Sequence, residues 1–483
     1  MAGVPRSDRL EPTLTKHLAL IGFMGAGKTT LAQEVARRLN RQLLEVDRIV
    51  ESSSKQSIPA LFAVGESVFR EAEERVVRGA LASPRPLVAD LGGGAVTTPH
   101  VRELLHRHAI TVWLDADVDT CWERVRASDR PLARDEAEFR RLFAERRPLY
   151  ERAADFVVRD ADDAVLAAAG VHVARGALRR LGSLVPGDGT VALVSDPNVA
   201  GIHGMDAQLA LGPRLTQVHE LPPGEEAKTL AALDRLWQDL RLDRAGTIVA
   251  LGGGCTTDAA GFAAATYLRG VEWVPVPTSL VAQVDAAIGG KTAIDIPQGK
   301  NLVGAFHWPA RTVVDPTLLE TLPETQRREG MAEVVKTGLL AGEPLWELPD
   351  DELVRRCAAF KAAVCLRDPH DREERKMLNL GHTFAHALET AAGYEGVTHG
   401  HAVALGLLAA LRLSGRDIGQ VEEILRPKPV RVDRERAWAA LQRDKKALGG
   451  ELRLVLLDDD GPRWDVLVPA ADVRRELDAL IAG

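Results

Sequence analysis

Cysteine is scarce in this chain. Its 483 residues hold four, Cys121, Cys255, Cys357 and Cys365, with no CxxC pair. That is too few for a disulfide scaffold and disfavours a thiolate zinc site or a redox dithiol. No run of eighteen apolar residues occurs, so no segment is expected to span a bilayer. The residues before His17 lack the apolar centre of a signal peptide, and the expected compartment is the cytoplasm. Excess positive charge is missing as well: 61 Lys and Arg against 69 Asp and Glu give a net charge of −8. Binding to nucleic acid without regard to sequence needs a basic face, so neither nucleic acid nor a membrane is expected as a partner. Phosphate-bearing small substrates stay compatible, because a local Lys and Arg cluster outweighs the global sign. No internal repeat or low-complexity tract is present.

What is there is the balance of an ordinary globular protein, 46% hydrophobic and 27% charged. The length suits two or three domains at about 150 residues each. Short apolar runs at 17–21, 43–46, 87–91 and 110–114 alternate with charged, helix-like segments. Strands alternating with helices imply a parallel sheet covered on both faces. Asp155–Val158 reads as a last strand, and Asp160-Ala161-Asp162-Asp163 as an exposed junction. A new strand–helix rhythm starts at 191–194 and repeats at 247–251. After about residue 320 helical periodicity dominates until 452–457. The expected organisation is an α/β fold with a tail over 1–15 and a first α/β domain over 16–160. A second α/β part follows over 161–320, and a mostly helical part over 321–483.

Residues 22–29 read Gly22-Phe23-Met24-Gly25-Ala26-Gly27-Lys28-Thr29, followed by Thr30. This is G-x-x-x-x-G-K-T between an expected strand and an expected helix with apolar positions Leu31, Val35 and Leu39. Glycines let backbone N–H groups converge on phosphate oxygens, Lys28 reaches the outer phosphates, and Thr29 offers its hydroxyl to Mg²⁺. Asp47, Arg70, the triple glycine 92–94, Arg130-Pro131-Leu132 and Arg146 follow strands of the same expected sheet. Strand C-termini of such a sheet share one edge, where ligands bind. An acid and several arginines meeting there suit an anionic, hydroxylated acceptor.

These residues together resemble the shikimate kinase family over about residues 15–160. The resemblance implies a P-loop kinase sheet with ATP on Gly22, Gly25, Ala26, Gly27, Lys28, Thr29, Thr30 and Arg130. It implies Mg²⁺ on Thr29 and Glu45, where the family usually has a shorter acid. Asp47, Arg70, Gly93 and Arg146 would hold shikimate, with Asp47 accepting the proton of the attacking hydroxyl. An arginine at 124 or 126 would stack near the adenine. Transfer would rest on positioning and charge neutralisation by Lys28, Mg²⁺ and Arg130.

The second half opens with Asp196 at a strand end, where an acid suits a ribose diol. Gly252-Gly253-Gly254 follows the next strand and opens a helix. Taken singly that turn is a weak cofactor signal, since it is not G-x-G-x-x-G. Arg269, Lys291, Lys300, Lys336, Lys361 and Arg375 lie beside glycine turns or in apolar segments. Such cations are costly to bury unless they meet an anion, so a substrate with carboxylate and phosphate is implied. His382 and His386 stand at i and i+4 on one helix face. With His399 and Glu333 they make a zinc or cobalt set with an open position, though the pattern is not HExxH.

Over about residues 165–483 these features resemble the 3-dehydroquinate synthase family, most specifically in Pro277-Thr278-Ser279-Leu280-Val281-Ala282-Gln283-Val284-Asp285-Ala286-Ala287-Ile288-Gly289-Gly290-Lys291-Thr292. The resemblance implies a Rossmann-like NAD-binding part, then a helical metal- and substrate-binding part. It implies Zn²⁺ or Co²⁺ on Glu333, His382 and His399, with His386 catalytic and not a ligand. His401, unusual for the family, competes with His399 for that role. NAD⁺ would lie on Asp196, Glu225, Lys228, Gly253, Gly254, Asp258, Thr278 and Ser279, with Lys291, Lys300 and Thr321 nearby. Substrate would be held by Arg269, Asp285, Lys291, Lys300, Asn301, Lys336, Lys361, Arg375, Asn379 and either Lys445 or Lys446. Lys291, Lys336 and Asp285 would join His386 in catalysis.

The implied chemistry is shikimate phosphorylation by ATP and cyclisation of a heptulosonate phosphate to 3-dehydroquinate. A homodimer through the second half is expected. The alternative is a related sugar-phosphate cyclase whose P-loop part only binds ATP and regulates.

Overall fold

The computed structural model describes residues 12–128, 132, 134–393, 396–444 and 450–482. Its internal contacts divide the chain into two units, Met1–Val171 and His172–Gly483.

The first unit is built on a five-stranded parallel sheet. Its strands are β1 (His17–Ile21), β2 (Leu43–Glu45), β3 (Val88–Asp90), β4 (Ala109–Leu114) and β5 (Phe156–Val158), in the order β2-β3-β1-β4-β5. Strand β1 is buried along its whole length, which is why its sequence is a continuous apolar run and not an alternation. The helix Lys28–Leu39 buries Leu31, Ala32, Val35, Ala36 and Leu39.

This unit ends later than the expected boundary at residue 160. The four residues Asp160–Asp163 are a helix start, not a junction. The Asp160 side chain accepts from the Asp163 N–H at 3.1 Å and caps the helix Ala161–Ala168. Acids gather there because a helix N-terminus favours negative charge. That helix is buried along its length and packs on the helix Lys28–Leu39. Arg38 donates to Asp162 at 2.5 Å between them.

In the second unit, a four-stranded parallel sheet has the order β10-β9-β7-β8. The strands are β7 (Val191–Ser195), β8 (Leu215–Glu220), β9 (Thr247–Gly252) and β10 (Glu272–Pro277). Three two-stranded pairs accompany it. One joins β6 (Val171–Val173) to β13 (Thr312–Val314), one joins β11 (Lys291–Ile296) to β12 (Gly299–Phe306), and one joins β14 (Glu451–Asp458) to β15 (Gly461–Pro469). Strands β8 and β10 were not legible as strands. Strand β8 alternates half-buried and exposed residues at the sheet edge, and β10 carries Pro275 and Pro277. Proline is tolerated there because β10 is the other edge. Beyond residue 320 come the helices Glu324–Ala341, Asp350–Arg367, His382–Ala391 and His399–Leu413. No helix among the described residues is long and apolar enough to cross a membrane.

Candidate active sites

In the first unit the sheet's C-terminal edge gathers the expected kinase residues. Gly25 and Gly27 take left-handed φ values of 83° and 102° in the loop between β1 and the helix Lys28–Leu39. A Cβ on Gly25 would stand 2.4 Å from the Cys121 carbonyl oxygen, so only glycine fits. Lys28 is buried and donates to the Phe23 carbonyl at 3.2 Å. Arg124 donates to the carbonyls of Gly25 and Ala26 at 3.1 and 3.0 Å and so holds the loop from behind. Arg126 instead pairs with Glu123 at 2.9 Å.

The acceptor side lies against the triple glycine. Arg70 pairs with Glu73 at 2.7 Å and with Glu66 at 2.9 Å. Arg146 is buried and donates to the Gly93 carbonyl at 3.2 Å. A Cβ on Gly94 would stand 2.0 Å from the Arg70 guanidinium, and one on Gly92 would stand 2.9 Å from Asp47 Oδ1. Three carboxylate oxygens here are buried without a hydrogen-bond partner: Asp47 Oδ1, Glu73 Oε1 and Asp90 Oδ1. Arg130 lies outside the described residues.

The second unit carries two adjoining groups. Between β7 and β9 the sheet reverses its strand order, the place where such sheets bind ligands. Asp196 follows β7 and accepts from the N–H groups of Asn198 and Val199 at 3.1 and 3.2 Å. Thr256, from the helix Gly254–Thr266 after β9, donates to its other oxygen at 3.3 Å. Thr278 follows β10 and donates its N–H to the Gly252 carbonyl at 2.9 Å, and Ser279 stands against Gly253. Lys228 is buried, donates to Asp258 at 2.9 Å and contacts Asn301. Lys300 donates to Glu225 at 2.8 Å. Burial pushes the Glu225 carboxyl up, but Lys300 and Lys228 hold it below the ordinary range. Thr321 bonds His203 at 2.8 Å.

The helices past residue 320 build the other group. Glu329 accepts from the Gly400 N–H at 2.6 Å and the Thr398 hydroxyl at 2.7 Å, which pins the start of the helix His399–Leu413 to the helix Glu324–Ala341. One turn further along, Glu333 is 1% exposed, and its Oε1 lies 3.4 Å from His382 Nε2 and 3.3 Å from His399 Nε2. Ligand atoms of these three residues all lie within 4.8 Å of one another. His382 Nδ1 donates to the Leu380 carbonyl at 3.2 Å, and His399 Nδ1 lies 3.4 Å from Glu389. Both rings therefore turn Nε2 inward.

Lys336 touches both Glu333 and Asp285, the latter at 3.8 Å, and Lys361 pairs with Asp285 at 2.7 Å. Burial pushes the Asp285 carboxyl up, yet Lys336 and Lys361 hold it below its usual value. Lys291 pairs with Asp371 at 2.5 Å, and burial with the nearby Arg375 lowers its ammonium. Arg375 is 2% exposed with one guanidinium nitrogen unpartnered. His386 is exposed, with its ring 5.7 Å from that of His382. His401 turns away and bonds the Lys428 carbonyl at 2.7 Å, so it does not join the trio.

Comparison with known families decides what these groups belong to. A family model for the N-terminal part of 3-dehydroquinate synthase matches residues 218–329, and one for its C-terminal part matches 330–447. The 3-dehydroquinate synthase of Bordetella pertussis is 39% identical over 341 residues, covering 64% of this chain and 95% of the relative. The chain belongs to the 3-dehydroquinate synthase family. The enzyme of that name from Gloeobacter violaceus is 41% identical over 346 residues, covering 64% of this chain and 96% of its own. A solved 2-deoxy-scyllo-inosose synthase complexed with carbaglucose-6-phosphate, NAD⁺ and Co²⁺ matches with a TM-score of 0.58 at 25% identity, over 64% of this chain and 96% of that one. The shikimate kinase family model matches residues 24–174, so the first unit is a shikimate kinase domain. That match also runs past residue 160.

The synthase unit fits a divalent ion on Glu333, His382 and His399. The set is one carboxylate and two imidazoles, with both Nε2 atoms turned inward by bonds at Nδ1. It fits a dinucleotide at the β7/β9 reversal, where the Asp196 carboxylate faces a helix N-terminus. The kinase unit fits a nucleotide with Mg²⁺, because Asp90, with one buried unpartnered oxygen, accepts from Thr29 beside the phosphate loop.

Some residues are placed otherwise than expected. Arg269 stands exposed in a turn where it and Leu268 both take left-handed φ, and its side chain makes no hydrogen bond or ion pair with any described residue. Glu45 pairs with Arg48 at 2.7 Å. Asn379 ends the short helix Glu374–Asn379, and its side chain makes no hydrogen bond with any described residue. Lys445 and Lys446 lie outside the described residues. Three acids were not singled out from sequence: Glu73, Asp90 and Glu389. Each left a signal. Asp90 interrupts an apolar strand, Glu73 stands three residues past Arg70, and Glu389 stands two helical turns past His382.

Proposed function

We propose that the chain performs two separate reactions. The kinase unit transfers the terminal phosphoryl group of ATP to a shikimate hydroxyl, giving shikimate 3-phosphate. The synthase unit converts 3-deoxy-D-arabino-heptulosonate 7-phosphate to 3-dehydroquinate with release of phosphate. The observation that carries the second reading is Lys336, which touches both the metal-binding Glu333 and Asp285 of the substrate pocket.

In the kinase unit the loop N–H groups and Lys28 receive the phosphates, and Mg²⁺ when bound neutralises their charge. Arg70 and Arg146 hold the shikimate carboxylate against the triple glycine. Asp47 offers an unpartnered oxygen, Oδ1, to the attacking hydroxyl's proton. Arg130, carried over from the family, covers the phosphates.

In the synthase unit, NAD⁺ when bound supplies a reversible hydride acceptor, and a Zn²⁺ or Co²⁺ ion supplies Lewis acidity. Glu333, His382 and His399 hold the ion. Asp196, Glu225, Lys228, Gly253, Gly254, Asp258, Thr278 and Ser279 line the dinucleotide crevice. Lys291 meets the substrate's carboxylate or phosphate by exchanging Asp371 for the ligand, Lys336 and Lys361 meet it while staying on Asp285, and Arg375 offers its unpartnered guanidinium nitrogen. Asp285, kept ionised by its two lysines, accepts from substrate hydroxyls. His386, exposed beside the trio, moves a proton at its imidazole.

The two reactions use unlike substrates, so the fusion fixes stoichiometry and passes no intermediate directly. The expected location is the cytoplasm, and the expected assembly is a homodimer through the synthase unit, which sedimentation velocity tests. The deciding experiment assays the purified chain separately with shikimate plus ATP and with the heptulosonate phosphate plus NAD⁺ and Zn²⁺. Both products are expected. An inert second assay, alongside turnover of a different sugar phosphate, would replace the synthase assignment.

A further inference from the structure

We propose that Asp90 is the carboxylate that positions the Mg²⁺ site of the kinase unit, a role that the sequence pattern points to Glu45 to fill. The inference rests on the kinase reading above.

Asp90 is the last residue of β3, beside Leu20 of β1 and beside Glu45 of β2 in the parallel register. It thus stands at the sheet edge between the strand that feeds the phosphate loop and the strand that delivers Asp47. The Thr29 hydroxyl donates to Asp90 Oδ2 at 2.6 Å. That bond spends the hydroxyl's only proton on Asp90 and leaves the oxygen's lone pairs for a cation. The other oxygen, Oδ1, is buried without a hydrogen-bond partner in a residue only 8% exposed. A carboxylate oxygen left unpaired at this depth is costly, and a divalent ion with its waters is the group that would satisfy it.

Glu45 is less suited. Its carboxylate is already paired with Arg48 at 2.7 Å. Glu45 already has a charged partner, whereas Asp90 has one oxygen committed to orienting Thr29 and one uncommitted. The division of labour would then be that Thr29 holds the ion, Asp90 orients Thr29 and offers its unpartnered oxygen to the ion's shell, and Glu45 stays with Arg48.

The test uses the full chain saturated with ADP. Mn²⁺ is titrated in, and the free ion is read by electron paramagnetic resonance for the wild type, Asp90→Asn, Asp90→Ser and Glu45→Gln. Calorimetry with ADP in chelator reports the integrity of the loop in each protein. Both Asp90 variants are expected to weaken Mn²⁺ by about tenfold or more, the effect of losing an orienting partner. Their metal-free ADP affinity should be unchanged, and Glu45→Gln should lose less Mn²⁺ affinity than either. Equal Mn²⁺ affinity in the wild type and Asp90→Asn overturns the proposal. So does a loss that appears only together with lost metal-free ADP binding, since that marks a structural role. A wild-type chain that binds no ADP overturns the kinase reading itself, and is told apart because the defect is present before any substitution.

Discussion

The two units solve the same problem, catching a phosphate-bearing anion, by different means. The kinase unit presents backbone N–H groups on a glycine loop and leaves one buried carboxylate oxygen each of Asp47, Glu73 and Asp90 without a hydrogen-bond partner. The synthase unit pairs nearly every pocket cation with an acid of its own: Lys228 with Asp258, Lys300 with Glu225, Lys291 with Asp371, and Lys336 and Lys361 with Asp285. One site is fixed by main-chain geometry, the other by a network of charges. Single side-chain changes should therefore act locally in the first and spread to stability in the second.

The largest expected effect is the cleanest separation. Lys28→Ala should lower shikimate phosphorylation by about 10³-fold, the scale of removing one preorganised electrostatic group. Dehydroquinate formation, measured on the same preparation, should be unchanged. Loss of both activities would break the comparison.

Next is His386→Ala. It should slow the synthase by about 10²-fold, as removal of a proton-transfer group does. The zinc content by mass spectrometry should stay at the wild-type ratio, because Glu333, His382 and His399 remain. Stoichiometric loss of zinc would move His386 into the metal set.

A smaller effect sharpens the contrast in stability. Asp258→Ala removes the 2.9 Å partner of the buried Lys228. The expected loss is about 2 kcal/mol, below the ~3–5 kcal/mol of a fully orphaned buried charge, because Asp295 stays 3.9 Å away. Denaturant unfolding of the synthase unit should show it, while the kinase transition should not move.

The smallest effect is in pH. Burial pushes Glu73 and Asp90 above the ordinary carboxylate range, despite Arg70 and Lys28 respectively. The folded kinase unit therefore binds those protons more tightly than the unfolded chain. The contribution of these two groups to stability rises as pH falls through the raised values and levels off below the ordinary range near about 4. Glu225 has the opposite sign: its contribution is present above about 4.5 and is lost as pH falls through its depressed value. Calorimetry at a series of pH values should show the wild type gaining stability relative to Asp90→Asn on acidification and losing it relative to Glu225→Gln, by about 2 °C in each case. Parallel shifts would erase the distinction.

Much of this was legible in the sequence because both sites sit on strong local patterns. The glycine loop, its strand and its helix are contiguous, and their apolar period is unambiguous. Glu333, His382 and His399 come from three separate helices, and a motif resemblance brought them together. Spacing alone did not show which ring nitrogen faces inward; the bonds from Nδ1 to Leu380 and Glu389 decide that. Asp90 and Glu73 were missed because a lone acid within an apolar run is ambiguous until its neighbours are known. Strands β8 and β10 were missed because edge strands need not be continuously apolar and can hold proline.

The helix Ala161–Ala168 has a practical consequence for anyone dissecting the chain. A fragment stopped at residue 160 would keep every phosphate-loop residue but strip the buttress behind the helix that carries Lys28, and would leave Arg38 without its Asp162 counter-ion. Its apolar residues, from Ala164 to Ala168, would then travel with the other fragment as an exposed, sticky leader. A cut between Ala168 and Val171 keeps that helix with the kinase unit and leaves β6 whole.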